Sequence, residues 1–339
     1  MRWLRRLIRV AAVALPGAGL AAVVALPGPP APPSPPSSCA EAVETGRLRV
    51  LSLNLKFSAL AERGRRLDDI AALVARERVE LVLLQEVAGG LLAGTASTAA
   101  DLEHRLRTRH GLGYDRVDRP STGVPGLLTV GNAILSRCPV AAVELTELPE
   151  VAELELLGRR WRIGRNLLGA RIGFGGAELA VYTTHLCARC RPEERAGQLE
   201  VVLAAIGAAS RDGVRPLVLG GDLNLDLQRE GGAERPLYAR LGAVGLRDSA
   251  TVTGRPALEL CTAAETPDPT CTVGVAVPAR PIARRIDYVL AAGPAVPVGH
   301  RVVFNPRVDP SQPWVSNHAG VLVEFAIGRG ADSRAAAVR

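Results

Sequence analysis

The 339-residue chain reads as an α+β protein in which a two-layer β-sandwich is flanked by helices. Three observations point there. Short apolar runs recur along the chain from Arg47 to Phe325. They outnumber the amphipathic stretches. They also come both as hairpins and with helices between them, which one sandwiched sheet pair accommodates better than two separate domains. The hydrophobic share of 47% is enough to bury a sizeable core, and with aromatics at 3% that core must rest on Leu, Val, Ile and Ala.

In chain order, residues 1–38 come first. Arg2, Arg5, Arg6 and Arg9 make a basic start, Val10 to Leu26 is apolar, and a Pro-rich run follows from Pro27 to Pro36. That is the pattern of an export signal or of an uncleaved membrane anchor with a linker, and either places the body outside the cytoplasm. Pro16 inside the apolar run argues against a buried core helix. The folded domain is expected over residues 39–329 and a frayed tail over 330–339.

Within the domain, Leu48 to Leu55 is a buried strand. Arg65 to Arg76 is a helix with Leu67, Ile70, Ala71 and Val74 on one face. Leu81 to Leu84 is a second buried strand and Ala99 to Arg109 a helix. Ala133 to Leu135 and Val140 to Leu145 are strands. Leu167 to Ile172 and Leu179 to Thr183 flank Gly175-Gly176, a hairpin turn. Pro192 opens a helix carrying Glu193 and Glu194 in its first turn and Leu199, Val202, Leu203 and Ile206 on its apolar face. Leu217 to Leu219, Ile286 to Leu290, Val302 to Phe304 and Val321 to Phe325 complete the strands.

The net charge is +7, but four of the positive charges lie in the first ten residues, so the remainder is only mildly basic. Such a body tolerates a polyanionic substrate without requiring one. Lys56 is the single lysine among 41 basic residues. Of the six cysteines, Cys187 with Cys190 and Cys261 with Cys271 are expected to pair in an oxidising compartment, and Cys39 and Cys138 are left unassigned.

Polar residues sit where apolar strands end: Asn54, Glu86, His185, Asp222 with Asn224, Asp287, and Asn317 with His318. Burying carboxylates there is costly unless a cation or hydrogen bonds compensate, so their convergence implies a hard metal such as magnesium. Taken singly, each has a plainer reading. Glu86 could be a solvated cap, Asp222 and Asn224 an Asx turn, Asp287 a partner of Arg284 or Arg285, and the histidines satisfied interior groups.

These residues fall in L-S-L-N, L-L-Q-E-V, G-N-A-I-L-S-R, T-T-H-L, G-G-D-L-N, R-I-D-Y-V and S-N-H-A. In that order, the seven resemble the endonuclease/exonuclease/phosphatase superfamily from Arg49 to Phe325. The resemblance implies a four-layer α/β/β/α fold and a metal-dependent phosphoester hydrolase. It implies Glu86 as the main ligand of Mg2+ (or Mn2+ or Ca2+), helped by Asn54. Asp222 would orient or deprotonate the attacking water, Asn224 would help position it, and Asp287 would hold a charged His318. His185 would be a second donor and Asn132 a substrate-positioning group. The family has Ser-Asp-His where this chain has Ser316-Asn317-His318. Asn317 still offers a carbonyl oxygen but no charge, which weakens the expected metal site.

The function expected is an exported phosphodiesterase, monomeric and without an obligate protein partner, with nucleic acid ranked ahead of phospholipid or inositol phosphate. A binding protein that has lost activity ranks last, since only Asn317 favours it. Arg159, Arg160, Arg162 and Arg165 could line a basic groove or be an ordinary solvated face. No exposed hydrophobic hairpin of the kind a lipid enzyme carries is evident.

Overall fold

The computed structural model describes residues 39–57, 62–156, 159–210, 215–227, 234–254, 284–306 and 309–328. The expected leader and linker, the Cys261 and Cys271 pair and the tail lie outside these residues. The chain divides into Met1–Ser34 and Pro35–Arg339, and the described fold belongs to the second unit. Among the described residues no helix is long and apolar enough to cross a membrane.

The elements run α1 (Ala40–Thr45), β1 (Arg47–Asn54), α2 (Arg63–Arg76), β2 (Leu81–Gly89), a 3-10 turn (Leu91–Ala93), α3 (Thr98–His110), β3 (Asp115–Val124), β4 (Leu128–Ser136), β5 (Val140–Leu156), β6 (Arg159–Phe174) and β7 (Ala177–His185). There follow α4 (Pro192–Ala209), β8 (Leu217–Asp222), α5 (Arg235–Ala243), β9 (Arg247–Asp248), α6 (Ser249–Val252), β10 (Asp287–Ala292), β11 (Ala295–Val303) and β12 (Gly320–Ile327). They form two six-stranded sheets, ordered β11-β12-β1-β2-β4-β3 and β5-β6-β7-β8-β10-β9.

Each sheet holds one parallel pair near its centre, β1 with β2 and β7 with β8. A parallel pair needs a crossover, and here a helix supplies it each time, α2 in the first sheet and α4 in the second. The crossovers lay helices on the two outer faces. Leu67, Ile70 and Val74 of α2 and Leu102 and Leu106 of α3 cluster with Leu51, Leu53, Val82 and Leu84. Leu199, Val202 and Ile206 of α4 and Leu241 of α5 cluster with Leu217, Leu219 and Leu290. Between the sheets Val50, Leu83, Ile134, Leu168, Val181, Val289, Val323 and Phe325 form the third apolar layer. Central strands therefore have both faces covered, which is why they read as unbroken apolar runs rather than alternations. At about 1.5–3 kcal/mol per fully buried aliphatic side chain, these three layers dominate the folding energy.

Gly220 lies where the two sheets approach closely: a Cβ there would come 2.6 Å from Leu83 Cδ1 and 3.3 Å from Ser52. The Gly175-Gly176 turn forms as expected, both residues taking positive φ of 59° and 82°. Several elements exceed the expectations. β3 carries Pro120 and six charged or hydroxyl residues, a composition that argues against a strand, yet it sits at the sheet edge with Pro120 at a bulge, where a missing N–H is tolerated. β5 and β6 extend well past the predicted runs, and α1, α5, α6 and β9 carry too little periodicity to be foreseen. Cys187 pairs with Cys190 as expected. Cys39 pairs with Cys138, which spacing alone could not indicate across 99 residues.

Candidate active site

The parallel and antiparallel registers bring the strand-end residues into one cleft. His185 on β7 lies opposite Asp222 on β8, and Asp222 lies opposite Asp287 on β10. Three adjacent strands thus deliver three of the candidate side chains at one edge of the second sheet. Asn54 ends β1 in the facing sheet, and Glu86 lies in β2 where the pairing with β4 is interrupted by a bulge. Glu86 takes a positive φ of 52°, a left-handed conformation that turns it out of the ladder.

Contacts across the cleft join these groups. Asn54 donates through Nδ2 to Glu86 Oε1 and to Asp222 Oδ2, each at 3.1 Å, so one amide bridges carboxylates from the two sheets. Its orientation is set by Lys56, whose backbone N–H donates to Asn54 Oδ1 at 2.9 Å. Phe57 N–H donates to Glu86 Oε2 at 3.0 Å. His318 Nδ1 lies 3.0 Å from Asp287 Oδ2, and its Nε2 lies 3.9 Å from Asp222 Oδ2. His185 Nε2 lies 3.3 Å from the same Asp222 oxygen. Asn224, at a positive φ of 51°, donates its N–H to Asp222 Oδ1 and its side chain to Leu186 O. The Asx turn and the functional reading coexist in that segment. Asp222, Asp287 and His318 place ligand atoms within 4.8 Å of one another.

The electrostatics follow from burial. Dehydration is the largest influence on His318 and works against its charge, yet Asp287, Asp222 and Glu86 outweigh it and raise the imidazole to about 9. Dehydration also raises Asp222, and the carboxylates of Asp287 and Glu86 push it the same way against the His318 cation. His185 is held well below its ordinary value, first by burial and then by the charges of Arg165 and His318. The cleft thus holds one charged and one neutral imidazole around a carboxylate that binds a proton readily.

Asn132 is buried to the side, donating through Nδ2 to Asn166 Oδ1 at 2.8 Å and to Asn166 O at 3.1 Å. Thr184, next to His185, donates to that same Asn166 carbonyl. Asn317 is half-buried, and its Oδ1 is buried without a hydrogen-bond partner. Ser316 Oγ donates to Asn54 O at 2.6 Å and accepts from His318 N, fixing the turn before β12.

Several plainer readings are settled. Arg284 pairs with Asp226 and Arg285 with Asp248, not with Asp287. His300 meets Ser249, Tyr182 donates to Glu144, and Trp314 lies under Arg66. The arginine cluster divides: Arg162 is exposed beside Glu150, whereas Arg165 is nearly buried against Glu153 and His185. Trp161, next to Arg162 in the chain, is 52% exposed. The expectation of no exposed apolar hairpin fails. Val124 (58% exposed) and Leu127 (44%) stand at the β3–β4 tip, beside Leu91 and Leu92, whose N–H groups bond Gly126 O and Leu127 O. The tip was missed because β3 itself did not read as a strand. Gln85 was also missed: buried beneath the cleft, it donates from β2 to Thr183 of the other sheet at 2.9 Å.

Comparison with solved structures agrees with this architecture. An endonuclease/exonuclease/phosphatase family protein from Leptotrichia buccalis superposes with a TM-score of 0.60 at 18% identity, covering 82% of this chain and 99% of that one. A Beutenbergia cavernae endonuclease/exonuclease/phosphatase gives 0.59 at 22% identity, over 84% and 72%. D. rerio TDP2, complexed with single-strand DNA product, gives 0.53 at 19% identity, over 82% and 98%. Comparison with curated protein sequences gives no match. The model of the endonuclease/exonuclease/phosphatase family matches residues 51–318, from the strand before Asn54 to His318 itself. The chain belongs to that family of phosphoester hydrolases.

Proposed function

We propose that the protein is an exported, divalent-metal-dependent phosphodiesterase that acts on nucleic acid. The observation that carries the reading is the buried Asp222-Asp287-His318 cluster with His185 on one side and Glu86 on the other. Three carboxylates converge there, and the histidines and Asn54 answer only part of their charge.

A hard cation fits the remaining donors. Glu86 is a half-buried carboxylate whose oxygens each keep lone pairs beyond the bonds to Asn54 and Phe57. Asn317 Oδ1 is a buried oxygen with no partner. Glu86, Asn317 and the free lone pair of Asn54 Oδ1 would hold magnesium, with manganese or calcium as substitutes. When bound, the ion would neutralise phosphoryl charge. The rest of the work falls to the chain. Asp222, disposed to take a proton, orients and deprotonates the attacking water, with Asn224 holding the turn that aims it. Charged His318 donates from Nε2 to a phosphoryl oxygen while Asp287 occupies its Nδ1, and His185 is the second donor. Asn132 shapes the substrate side. The TDP2 structure with single-strand DNA product supports nucleic acid as the substrate class. The basic-apolar N-terminus and two disulfides support export.

A second reading, a phospholipid phosphodiesterase, is favoured by the exposed Leu91, Leu92, Val124 and Leu127 beyond the Glu86 end of β2. One assay separates them: purified protein with magnesium against DNA, RNA, sphingomyelin and inositol phosphates, with Asp222→Asn as the control. Nuclease activity lost in the control supports the proposal. Turnover of sphingomyelin alone selects the second reading.

A further inference from the structure

Beneath the cleft lies a chain of contacts that the hydrolytic roles above do not use. Arg165, on β6, has a side chain only 12% exposed, and its NH1 sits 2.9 Å from His185 Nδ1. A guanidinium carries donors only and keeps its proton at any working pH, so the ring nitrogen facing it must be the acceptor. The single ring proton then sits on Nε2, the nitrogen 3.3 Å from Asp222 Oδ2. In this arrangement His185 cannot act as a base, because its one free lone pair is taken by Arg165. It can only donate, from a fixed atom, into the place where the phosphoryl group reacts.

Arg165 is itself held. Its NH2 meets both oxygens of Glu153, at 2.9 and 2.8 Å. Glu153 Oε1 also accepts the backbone N–H of Ala188, at 2.7 Å, and of Arg189, at 3.4 Å. Those two amides belong to the four-residue loop closed by Cys187–Cys190. Buried Arg195 fixes the same loop, donating to Cys187 O and Ala188 O. A covalently closed loop therefore orients a carboxylate, the carboxylate orients a guanidinium, and the guanidinium selects the tautomer of His185.

Resting on the hydrolase reading for its consequence, we propose that Arg165 is a positioning residue that locks His185 as the neutral Nε2–H tautomer, with Glu153 and the Cys187–Cys190 loop as its support. The lock matters because a ring free to choose would put its proton on Nδ1 part of the time and present an acceptor to an anionic substrate.

The test uses the full protein labelled with 15N at histidine, the His185 signals being assigned by their loss in His185→Gln. The wild type is expected to show a protonated Nε2 and an unprotonated Nδ1. Arg165→Met removes the donor; the double variant Glu153→Gln/Arg165→Met does so without stranding a buried carboxylate. Both should show a mixed tautomer, and Arg165→Lys, which can still donate, should restore the wild-type pattern. Hydrolysis of bis-p-nitrophenyl phosphate should fall about tenfold or more in kcat in the methionine variants, with KM little changed, since the lost interaction is one made to developing charge. A wild-type ring protonated on Nδ1, or an unchanged tautomer in both methionine variants, overturns the assignment. The expected tautomers in a protein that cleaves no phosphodiester would keep the Arg165 assignment and overturn the hydrolase reading instead.

Discussion

Asp287→Asn tests the heart of the site. The replacement keeps shape and one hydrogen bond to His318 Nδ1, 3.0 Å away, but removes the charge that does most to raise this buried imidazole. The rise from 6.5 to about 9 corresponds to roughly 3 kcal/mol of preference for the charged ring. Dehydration opposes that charge, so without Asp287 the ring falls toward its ordinary value or lower. In the wild type the imidazolium is present at low and neutral pH and is lost as pH rises through about 9. In the variant it is lost near neutrality. If the charged ring is the donor, the rate at pH 8 should fall roughly 30-fold from the change in charged fraction alone, and far less at pH 6. The assay is a pH–rate profile of both proteins at saturating magnesium, with the His318 titration followed by NMR. A loss of equal size at pH 6 and pH 8, with the His318 titration moved, would refute the argument that the charge of His318 drives the reaction.

Three further outcomes are expected. Asn317→Asp adds a carboxylate at a position proposed to share the metal with Glu86, so the magnesium concentration for half-maximal rate should drop while the metal-free protein loses Tm from the added buried charge; a magnesium titration with parallel calorimetry checks both. Glu80 is buried and raised to about 7, first by dehydration, so the folded state holds a proton there that the unfolded chain releases near 4.5, and stability falls as pH rises across that window. Glu80→Gln keeps the acceptor for Arg49 N–H and should narrow the Tm gap between pH 5 and pH 8, gaining about 2 kcal/mol at the upper end. Replacing Cys187 and Cys190 by Ser together should lower kcat several-fold with little change in Tm, because so short a loop restrains the unfolded chain weakly while supporting Glu153; an equal Tm loss without a kcat effect would contradict that division.

The central strands were legible because both of their faces are covered, leaving runs such as Leu81 to Leu84 that only a buried strand explains. The site was legible for a related reason: Asn54, His185 and Asp222 interrupt those runs where the strands surface into the cleft. What escaped notice depends on neighbours distant in sequence. β3 is stabilised by its ladder with β4, not by its own composition. Arg165 looked like one of four surface arginines, and nothing local shows that Glu153 and His185 enclose it. Cys39 and Cys138 meet because the start of α1 joins the apolar layer between the sheets, a fact of tertiary path alone.

The seam between the sheets has a consequence for how the enzyme fails. Asn54 and Glu86 ride on one sheet, His185, Asp222 and Asp287 on the other, and His318 crosses from the first to grip the second. The proposed catalytic groups are thus mounted on two plates, and their alignment is the alignment of those plates. Gln85 pins them to Thr183, and Gly220 lets them lie close. Warming, or Gly220→Ala, which crowds Leu83 and Ser52, is expected to disturb that alignment before the fold is lost. Thermal inactivation should accordingly precede unfolding, and variants selected to stay active when hot should accumulate changes along the seam rather than in the cleft.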